Sequence, residues 1–222
     1  KKYKVCPFEL SLDLATWSDL IIGDYNYIFD PVVRLQRFID QPNIHLLIDE
    51  AHHLSPRVQS MLEVQLTSLE IRTAKSTKNN LVFKRVVSLE RAIKKIAKGL
   101  KEGEHNVLQT DSLDRAVFRF LENYIYAEQI EDRDANLETL YFACLRWAKG
   151  ATWFEKTRFR YIVEVKNQNI QVRQVCLDPG HYAKQVMAEY ASTIRFSGTV
   201  SPLKIYQQLH GQISKEADFS ER

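Results

Sequence analysis

The order of hydrophobic and polar positions predicts short strands towards both ends of the chain and helices between them. Short runs rich in apolar residues indicate strands at 20–23, 44–48 and 193–196. The positions from Leu46 to Asp49 do not alternate between the two faces of a strand. We therefore expect the strand at 44–48 to be covered on both faces, as in a parallel sheet.

The middle of the chain has the periodicity of amphipathic helices, with apolar residues every three or four positions. The longest stripe comprises Val82, Val86, Leu89, Ile93, Ile96 and Leu100. Two more helices are predicted around 113–124 and 137–147, the second with Cys144 in the core. Shorter helices are predicted at 10–17 (with Leu10, Leu14 and Trp17 on one face), 33–39, 180–190 and 203–209. A long helix is predicted to have Ser55 as its cap and Pro56 at its first position.

A β-hairpin is predicted near the end of the helical region. Residues 159–165 and 170–175 alternate between apolar and polar side chains, and Asn167-Gln168-Asn169 forms the turn. Cys176 is predicted to be a small strand residue. The whole order of elements is explained by an α/β sheet that a mostly helical insert interrupts. This insert leaves after residue 52 and returns near Cys176.

Two acidic residues, Asp49 and Glu50, directly follow the strand at 44–48. Ligands of open α/β sheets bind beyond the carboxyl ends of the strands, where these side chains fall. One carboxylate there can hold Mg²⁺ together with substrate phosphates, and a neighbouring one can orient or deprotonate a water. The pattern indicates phosphoryl transfer to water, although Asp49 as a cap of the next helix fits the same residues.

The composition narrows the class of protein. Of 222 residues, 45% are hydrophobic, which is ample for a core, and 3 are cysteines, too few for a disulfide framework and typical of a reducing cytoplasm. No apolar run approaches the roughly 18 residues that a membrane-spanning helix needs. The sequence has no G-x-x-x-x-G-K-[ST] loop, so a nucleotide site at Asp49 and Glu50 would lack its phosphate cradle in this chain.

Charge is distributed unevenly, although the net charge is only +3. Residues 72–101 carry ten basic side chains against one acidic one, whereas residues 102–138 carry ten acidic against three basic. The basic helix either pairs with its acidic neighbours in a bundle or faces a phosphate backbone. In the second case Lys94, Lys95 and Lys98 are candidate DNA contacts.

Two segments combine aromatic with polar or basic residues, which suits the stacking of bases in a single nucleic-acid strand. Tyr25 and Tyr27 lie in the first, at 24–31, and Arg158 and Arg160 lie in the second. A hydrophobic plug beneath the sheet explains the first segment equally well. An ordinary hairpin with alternating faces explains the second.

Four short segments occur in the order found in one family of motor proteins. Asp49-Glu50-Ala51-His52 looks like helicase motif II, the DEAH box, and Ser197-Gly198-Thr199 looks like motif III. Residues 6–10 resemble the end of an iron–sulfur segment, and residues 24–31 are similar to the segment before motif II. The chain therefore resembles the iron–sulfur superfamily 2 DNA helicases of the XPD and DinG type, with the best fit to the bacterial DinG-like branch.

The resemblance implies a role for each matched residue. Asp49 would bind Mg²⁺ with ATP, Glu50 would activate water, and His52 would couple the site to motif III, where Ser197 and Thr199 lie. The family moves along single-stranded DNA, usually 5′ to 3′, and threads the strand between an Arch domain and the cluster domain. This activity would serve DNA repair or replication.

The resemblance also implies the fold and its divisions. The fold would be α/β, a partial RecA-like parallel sheet (the first motor domain) interrupted by a mostly helical Arch-like insert with a β-hairpin. Cys6 would be the last of four ligands of a 4Fe–4S cluster. The expected divisions are the end of the iron–sulfur segment at 1–18, the first part of the motor domain at 19–57, the insert at 58–174, the return of the motor domain at 175–210 and a linker at 211–222.

The sequence also departs from the family pattern. The phosphate loop, the three other cluster cysteines and the second motor domain are missing from these residues. The chain thus resembles an internal piece of a larger cytoplasmic protein, which would bind ATP, Mg²⁺, the cluster, single-stranded DNA and repair or replication partners. We expect the isolated chain to be a monomer without ATPase activity or a stable cluster. The alternative is an Arch-like module that binds DNA or a protein partner without catalysis.

Overall fold

The computed structural model describes residues 5–39, 43–76, 79–127, 135–199 and 201–211. The predicted turn at 41–43 and the predicted linker at 211–222 lie almost wholly outside these ranges. The first half of the chain forms α1 (Pro7–Ala15), α2 (Asn26–Phe29), β1 (His45–Ile48), α3 (Leu54–Leu62), β2 (Val64–Thr67), α4 (Ser68–Thr73), α5 (Asn80–Ile96) and β3 (Gly103–Val107). The second half forms α6 (Asp111–Ala127), α7 (Ala135–Trp153), β4 (Phe159–Lys166), β5 (Asn169–Cys176), α8 (Pro179–Met187), β6 (Ser192–Arg195) and α9 (Leu203–Leu209).

The two strands nearest the acidic residues form a parallel pair, β1 with β6. Backbone hydrogen bonds continue the pairing past both strands. The amide of Phe196 donates to the carbonyl of Ile48 at 3.0 Å, and the amide of Ala51 donates to the carbonyl of Phe196 at 3.1 Å. These contacts confirm the two predicted strands and their α/β arrangement, and they bring residues from opposite ends of the chain together.

The prediction that β1 is covered on both faces is wrong. Leu47 is 61% exposed, and its register partner Ile194 on β6 is 57% exposed. Ile48, which points to the other face, is 6% exposed and belongs to the core. A continuous apolar run does not encode how many layers surround it, and in the described part of the chain only β6 pairs with β1.

Two elements predicted before β1 do not form. Residues 20–23 are exposed, have no regular secondary structure and pair with no strand in the described ranges. A short apolar run becomes a strand only where a neighbour takes up its backbone hydrogen bonds. The predicted helix at 33–39 reduces to a 3₁₀ turn at Gln36–Phe38. Just before it, the Asp30 carboxylate accepts the amide of Val32 at 2.8 Å and holds the chain in a turn.

The helices on either side of β1 form, but their faces and boundaries differ from the prediction. In α1, Leu12 is buried, whereas Leu10 and Leu14 are exposed. Helix α3 begins at Leu54, two residues before Pro56, because a 3₁₀ turn leads directly into it. It ends after 9 residues, and the chain continues as β2 instead of a long helix.

The insert contains a four-stranded antiparallel sheet with the strand order β2-β5-β4-β3. Strands β4 and β5 are the predicted hairpin. Its turn residues Asn167 and Gln168 have φ angles of 48° and 62°, as a two-residue type I′ turn requires. Strands β2 and β3 are only 4 and 5 residues long and depend on pairing with the hairpin, so the sequence pattern alone does not reveal them.

The three long helices of the insert confirm the amphipathic pattern. The first four residues of the predicted stripe, Val82, Val86, Leu89 and Ile93, are all fully buried. Helix α5 packs against α6, and α6 packs against α7. Cys144 of α7 lies in the same core, as predicted.

The described residues form two apolar cores, one within the insert and one beside the parallel strands. Trp153, at the end of α7, contacts both, and its indole nitrogen donates to the carbonyl of Leu62 at 3.2 Å. The predicted divisions at 57/58 and 174/175 remain predictions. Among the described residues, no helix is both long and apolar enough to cross a lipid bilayer.

A buried carboxylate on the otherwise basic helix α5 leads to a prediction about pH and stability. Glu90 is 9% exposed, and it pairs with Lys75 and with Lys94, whose Nζ atom is 2.9 Å away. Hydrogen bonds from Lys75 and Lys94 lower the pKa of Glu90 below its ordinary value of 4.5. The pairing therefore stabilises the folded state above about pH 4.5, and this contribution is lost as the pH falls through the lowered pKa.

We expect Glu90→Gln to lower the free energy of unfolding by about 1–2 kcal/mol at neutral pH. The difference from the wild type should shrink as the pH falls below 4.5. Urea titrations across this range measure the effect. The control is Glu138→Gln, which removes the same charge from an exposed position on α7. An equal loss in both variants, or a loss that persists in acid, would contradict the role of the pairing.

Candidate functional site

The acidic loop, residues 49–52, lies beside the segment that follows β6. Ser197 Oγ donates to Glu50 Oε2 at 3.1 Å and lies 2.7 Å from His52 Nδ1. His52 Nδ1 is also 3.2 Å from Glu50 Oε2. Because the Ser197 hydroxyl donates its proton to Glu50, it acts as the acceptor in its contact with His52 Nδ1. Three side chains that are far apart in sequence thus form one connected cluster.

The parallel pairing explains why these side chains meet. Strands β1 and β6 run in the same direction and end at the same edge, so the residues after each strand become neighbours. Thr199 joins the cluster from the same segment, with its backbone amide 3.3 Å and its hydroxyl 3.4 Å from Ser197 Oγ. The structure brings together Glu50, His52, Ser197 and Thr199 as the sequence predicts, although their catalytic roles remain predictions.

Glu50 has a left-handed backbone conformation, with φ 47° and ψ 46°. This conformation costs a residue with a side chain about 1–2 kcal/mol, so neighbouring contacts must hold it. The Asp49 carboxylate accepts the amide of Glu50 at 2.7 Å. The hydroxyl of Tyr25 donates to the carbonyl of Asp49 and lies 3.3 Å from that of Glu50. The acidic loop is therefore fixed by contacts that the DEAH letters do not reveal.

The carboxylates are accessible to a substrate. The side chain of Glu50 is 61% exposed, and Asp49 is also exposed. Only one oxygen of Asp49 has a hydrogen bond among the described residues. No group of three potential metal ligands exists in those residues, so Mg²⁺ here would need phosphate and water oxygens to complete its coordination. Asp49 offers one carboxylate oxygen without a hydrogen bond in the described residues, which is a single oxygen ligand of the kind that Mg²⁺ accepts.

Comparisons with known proteins point to one kind of helicase. Residues 1–71 match the DEAD_2 family model. Over 74 residues the chain is 31% identical to the "Regulator of telomere elongation helicase 1 homolog" of Drosophila willistoni and 32% identical to that of Anopheles gambiae. These alignments cover 33% of this chain and 7% and 8% of the relatives, so the chain spans under a tenth of the curated relatives that it matches.

Solved structures resemble nearly the whole chain. "XPD_Helicase" aligns with a TM-score of 0.60 and 16% identity over 94% of this chain and 37% of that chain. "Truncated XPD" aligns with a TM-score of 0.58 and 17% identity over 94% of this chain and 59% of that chain. This chain has an XPD-type fold. The likeness confirms the predicted fold class, a partial RecA-like sheet with a helical insert.

The cysteines of the XPD-type fold seen here do not form a cluster site by themselves. Cys6 is exposed and precedes α1, whereas Cys144 and Cys176 are buried in the two different cores. Burial raises the pKa of Cys144, and it raises the pKa of Cys176 to about 11. The described residues thus offer Cys6 as a single accessible thiol, and a four-cysteine cluster does not fit this set of residues.

The candidate DNA contacts lie in three separate places and differ in their availability. Arg158 pairs with Glu155 and Asp178, and Arg160 donates to two backbone carbonyls. The neighbouring aromatic rings are packed together, with Phe154 stacked on Tyr161 at 4.4 Å. The arginine and aromatic side chains at the hairpin therefore bind other groups of the chain. This favours the ordinary hairpin over a surface that stacks nucleic-acid bases.

The two tyrosines before β1 face opposite sides of α2. The ring of Tyr27 packs towards Phe8 of α1 at 6.3 Å, whereas Tyr25 faces the acidic loop. Sequence reasoning missed the contact of Tyr25 with this loop and missed Arg57, whose guanidinium lies 5.3 Å from the centre of the Tyr25 ring. Arg57 carries no motif signal, because its partner lies outside the helix that bears it.

Proposed function

We propose that this chain is part of the first motor domain of an ATP-dependent DNA helicase and that Glu50 activates the water that attacks the terminal phosphate of ATP. One observation carries the proposal: Glu50, His52 and Ser197 converge at the shared edge of β1 and β6. The match of residues 1–71 to DEAD_2 and the XPD-type fold support the same class of enzyme.

Each side chain of the cluster has a separate task in this mechanism. Glu50 orients the water through its exposed carboxylate and takes up its proton. Ser197 donates to Glu50 and so fixes the direction of that carboxylate, while His52 holds Ser197. Asp49 would hold Mg²⁺, which neutralises charge on the phosphates of ATP when it is bound. Thr199 links the cluster to the segment beyond β6.

Further parts of the proposal extend beyond these residues. A phosphate cradle would come from a segment outside this sequence, because no Gly-Lys loop occurs in it. Cys6 would be one cluster ligand in the longer protein. We also propose that the longer protein moves along single-stranded DNA in the 5′ to 3′ direction and serves repair or replication. We propose further that it is cytoplasmic and is related to the bacterial DinG-like branch.

We expect the full-length protein to hydrolyse ATP with Mg²⁺ and single-stranded DNA, and this chain alone to show no turnover above background. Without a phosphate cradle, the acidic loop cannot hold the phosphates of the nucleotide in the position that hydrolysis requires. A phosphate-release assay on both proteins measures the difference. Hydrolysis by the isolated chain that Glu50→Gln abolishes would contradict the divided site, and an inactive full-length protein would contradict the proposed function.

A second candidate function, nucleic-acid binding by the insert, is favoured by one surface of α5. We define the basic face as Lys84, Arg91, Lys95 and Lys98. These side chains recur at helical spacing opposite the buried stripe, and each residue is exposed. None has an ion pair among the described residues, whereas Lys94 is paired with Glu90. The candidate contacts Lys95 and Lys98 therefore remain available, and Lys94 is partly neutralised.

The packing of α5 supports this function over a charge-paired bundle. Helix α5 contacts α6 through apolar side chains, and the described ion pairs of α5 do not involve α6. Within α5 the basic face spans about 17 Å from Lys84 to Lys95 at the rise of an α-helix. Lys98 follows in the turn after the helix. That length covers several phosphates of a nucleic-acid backbone.

We expect Lys95→Gln/Lys98→Gln to weaken binding of single-stranded DNA and to reduce the slope of log K against log[salt] by about 1.4. Fluorescence anisotropy over a series of salt concentrations measures both. The matched control, Lys149→Gln/Lys166→Gln, removes the same charge from exposed positions elsewhere in the insert. If both double variants change the slope equally, only net charge matters and the basic face is not the DNA contact.

A further inference from the structure

We propose that Tyr25 is a positioning residue of the acidic loop, which holds the backbone of Asp49 and Glu50 in the conformation that presents the Glu50 carboxylate to Ser197. Its effect on turnover rests on the proposed function. Its effect on the loop itself does not, because the contacts exist in this chain whatever the reaction is.

The first support is the geometry of the hydroxyl. The Tyr25 hydroxyl donates to the carbonyl oxygen of Asp49, and the carbonyl oxygen of Glu50 lies 3.3 Å from the same atom. The relative direction of these two carbonyls depends on φ and ψ of Glu50, the residue between them. They converge on one donor with Glu50 at φ 47° and ψ 46°. One hydrogen-bond donor therefore favours the left-handed conformation over the extended one.

The second support is that Tyr25 is itself held firmly. Phe29, one helical turn later, is 2% exposed and anchors α2 in the core beside the parallel strands. The ring of Tyr25 lies 6.2 Å from the ring of Phe29, and the guanidinium of Arg57 covers it at 5.3 Å. Arg57 is also 3.8 Å from Asp24. Burial raises the pKa of Tyr25 above 10.0, so the hydroxyl keeps its proton at neutral pH and can donate.

The third support is that different groups hold the two sides of the acidic loop. On the side of β6, the amide of Ala51 donates to the carbonyl of Phe196 at 3.1 Å. On the opposite side, the described residues offer Tyr25 as the side chain that binds the loop carbonyls. The loop is thus fixed from both sides, and the removal of one hydroxyl releases one of them. The same contacts use the proton of the Tyr25 hydroxyl, so this group has no free donor for a nucleic-acid base.

The test compares Tyr25→Phe with Tyr182→Phe in the intact protein. Tyr182 is a half-buried tyrosine of the same core that does not contact the acidic loop, so its variant controls for the loss of a buried hydroxyl. Hydrogen–deuterium exchange is followed at two backbone amides of the loop. The amide of Ala51 donates to the carbonyl of Phe196, and the amide of His53 donates to the carbonyl of Glu50. The rate of ATP hydrolysis and the KM for ATP are measured in parallel.

We expect Tyr25→Phe to speed exchange at these two amides by about fivefold to tenfold, the size of one lost hydrogen bond. The kcat should fall by a similar factor. The KM for ATP should stay within about twofold, because the variant disturbs the acidic loop and leaves the contacts that bind ATP unchanged. Tyr182→Phe should change neither quantity. This split between kcat and KM distinguishes positioning from a general loss of structure.

Three results would overturn the inference: unchanged exchange in Tyr25→Phe, wild-type kcat in that variant, or equal loosening of α8 and the acidic loop. If the wild-type protein hydrolyses no ATP, the proposed function fails, and the exchange rates alone then decide whether Tyr25 positions the loop. The two failures are therefore distinguishable.

Discussion

Glu50→Gln in the full-length protein should reduce ATP turnover by about 10²–10⁴-fold, the contribution of a positioned general base. The amide has the size of the carboxylate and can still accept the hydrogen bond from Ser197, so the cluster keeps its geometry. It cannot accept a proton from water at neutral pH. Nucleotide affinity should remain within about threefold of the wild type, because the substitution acts on the transition state.

Turnover and binding need separate measurements for this variant. Single-turnover hydrolysis reports the chemical step, and titration with a fluorescent ATP analogue reports affinity. Glu122→Gln is the control, because it removes an exposed carboxylate from α6, outside the candidate site. Turnover of Glu50→Gln within tenfold of the wild type would show that another group activates the water, since a base is worth at least about 10²-fold.

Phe120→Ala should lower the free energy of unfolding of the insert by about 3–5 kcal/mol. Phe120 has no exposed surface and lies in the core between α5, α6 and α7. Its loss leaves a cavity that rigid helices cannot fill. Phe118→Ala is a closely matched control, because this residue is on the same helix, undergoes the same chemical change and is 51% exposed.

Tryptophan fluorescence during urea unfolding follows this region, since Trp147 is buried in the same core. The control variant should lose under about 1 kcal/mol. An equal loss in both variants would mean that helix propensity and not core packing sets the stability. A small loss in both would mean that the core repacks around the missing ring.

Periodicity and motif spacing together predicted the parts of the fold that are governed by local chemistry. The stripe on α5 is buried as its spacing indicates, and the type I′ turn forms where Asn167 and Gln168 can adopt positive φ. The meeting of Glu50 with Ser197 was also predictable, because parallel strands end at one edge of a sheet. Each of these three features follows from the identity and spacing of a few residues, without knowledge of the rest of the fold.

The features that escaped prediction depend on residues far away in the chain. Strands β2 and β3 are short and exist through pairing with the hairpin. The apolar residues at 20–23 have the composition of a strand without a partner in the described ranges. The contact of Tyr25 with the acidic loop joins residues 24 positions apart through a hydroxyl, which leaves no trace in a hydrophobic pattern.

The pairing of β2 with β5 places the start and the end of the insert side by side. Val64 lies opposite Gln174, and the side chain of Gln59 donates to the carbonyl of Cys176 at 2.9 Å. The chain therefore enters and leaves the insert at almost the same point in space. A change in the length of the insert therefore leaves β6 free to keep its register beside β1. The cluster of Glu50, His52 and Ser197 can thus keep its geometry when the insert changes in length.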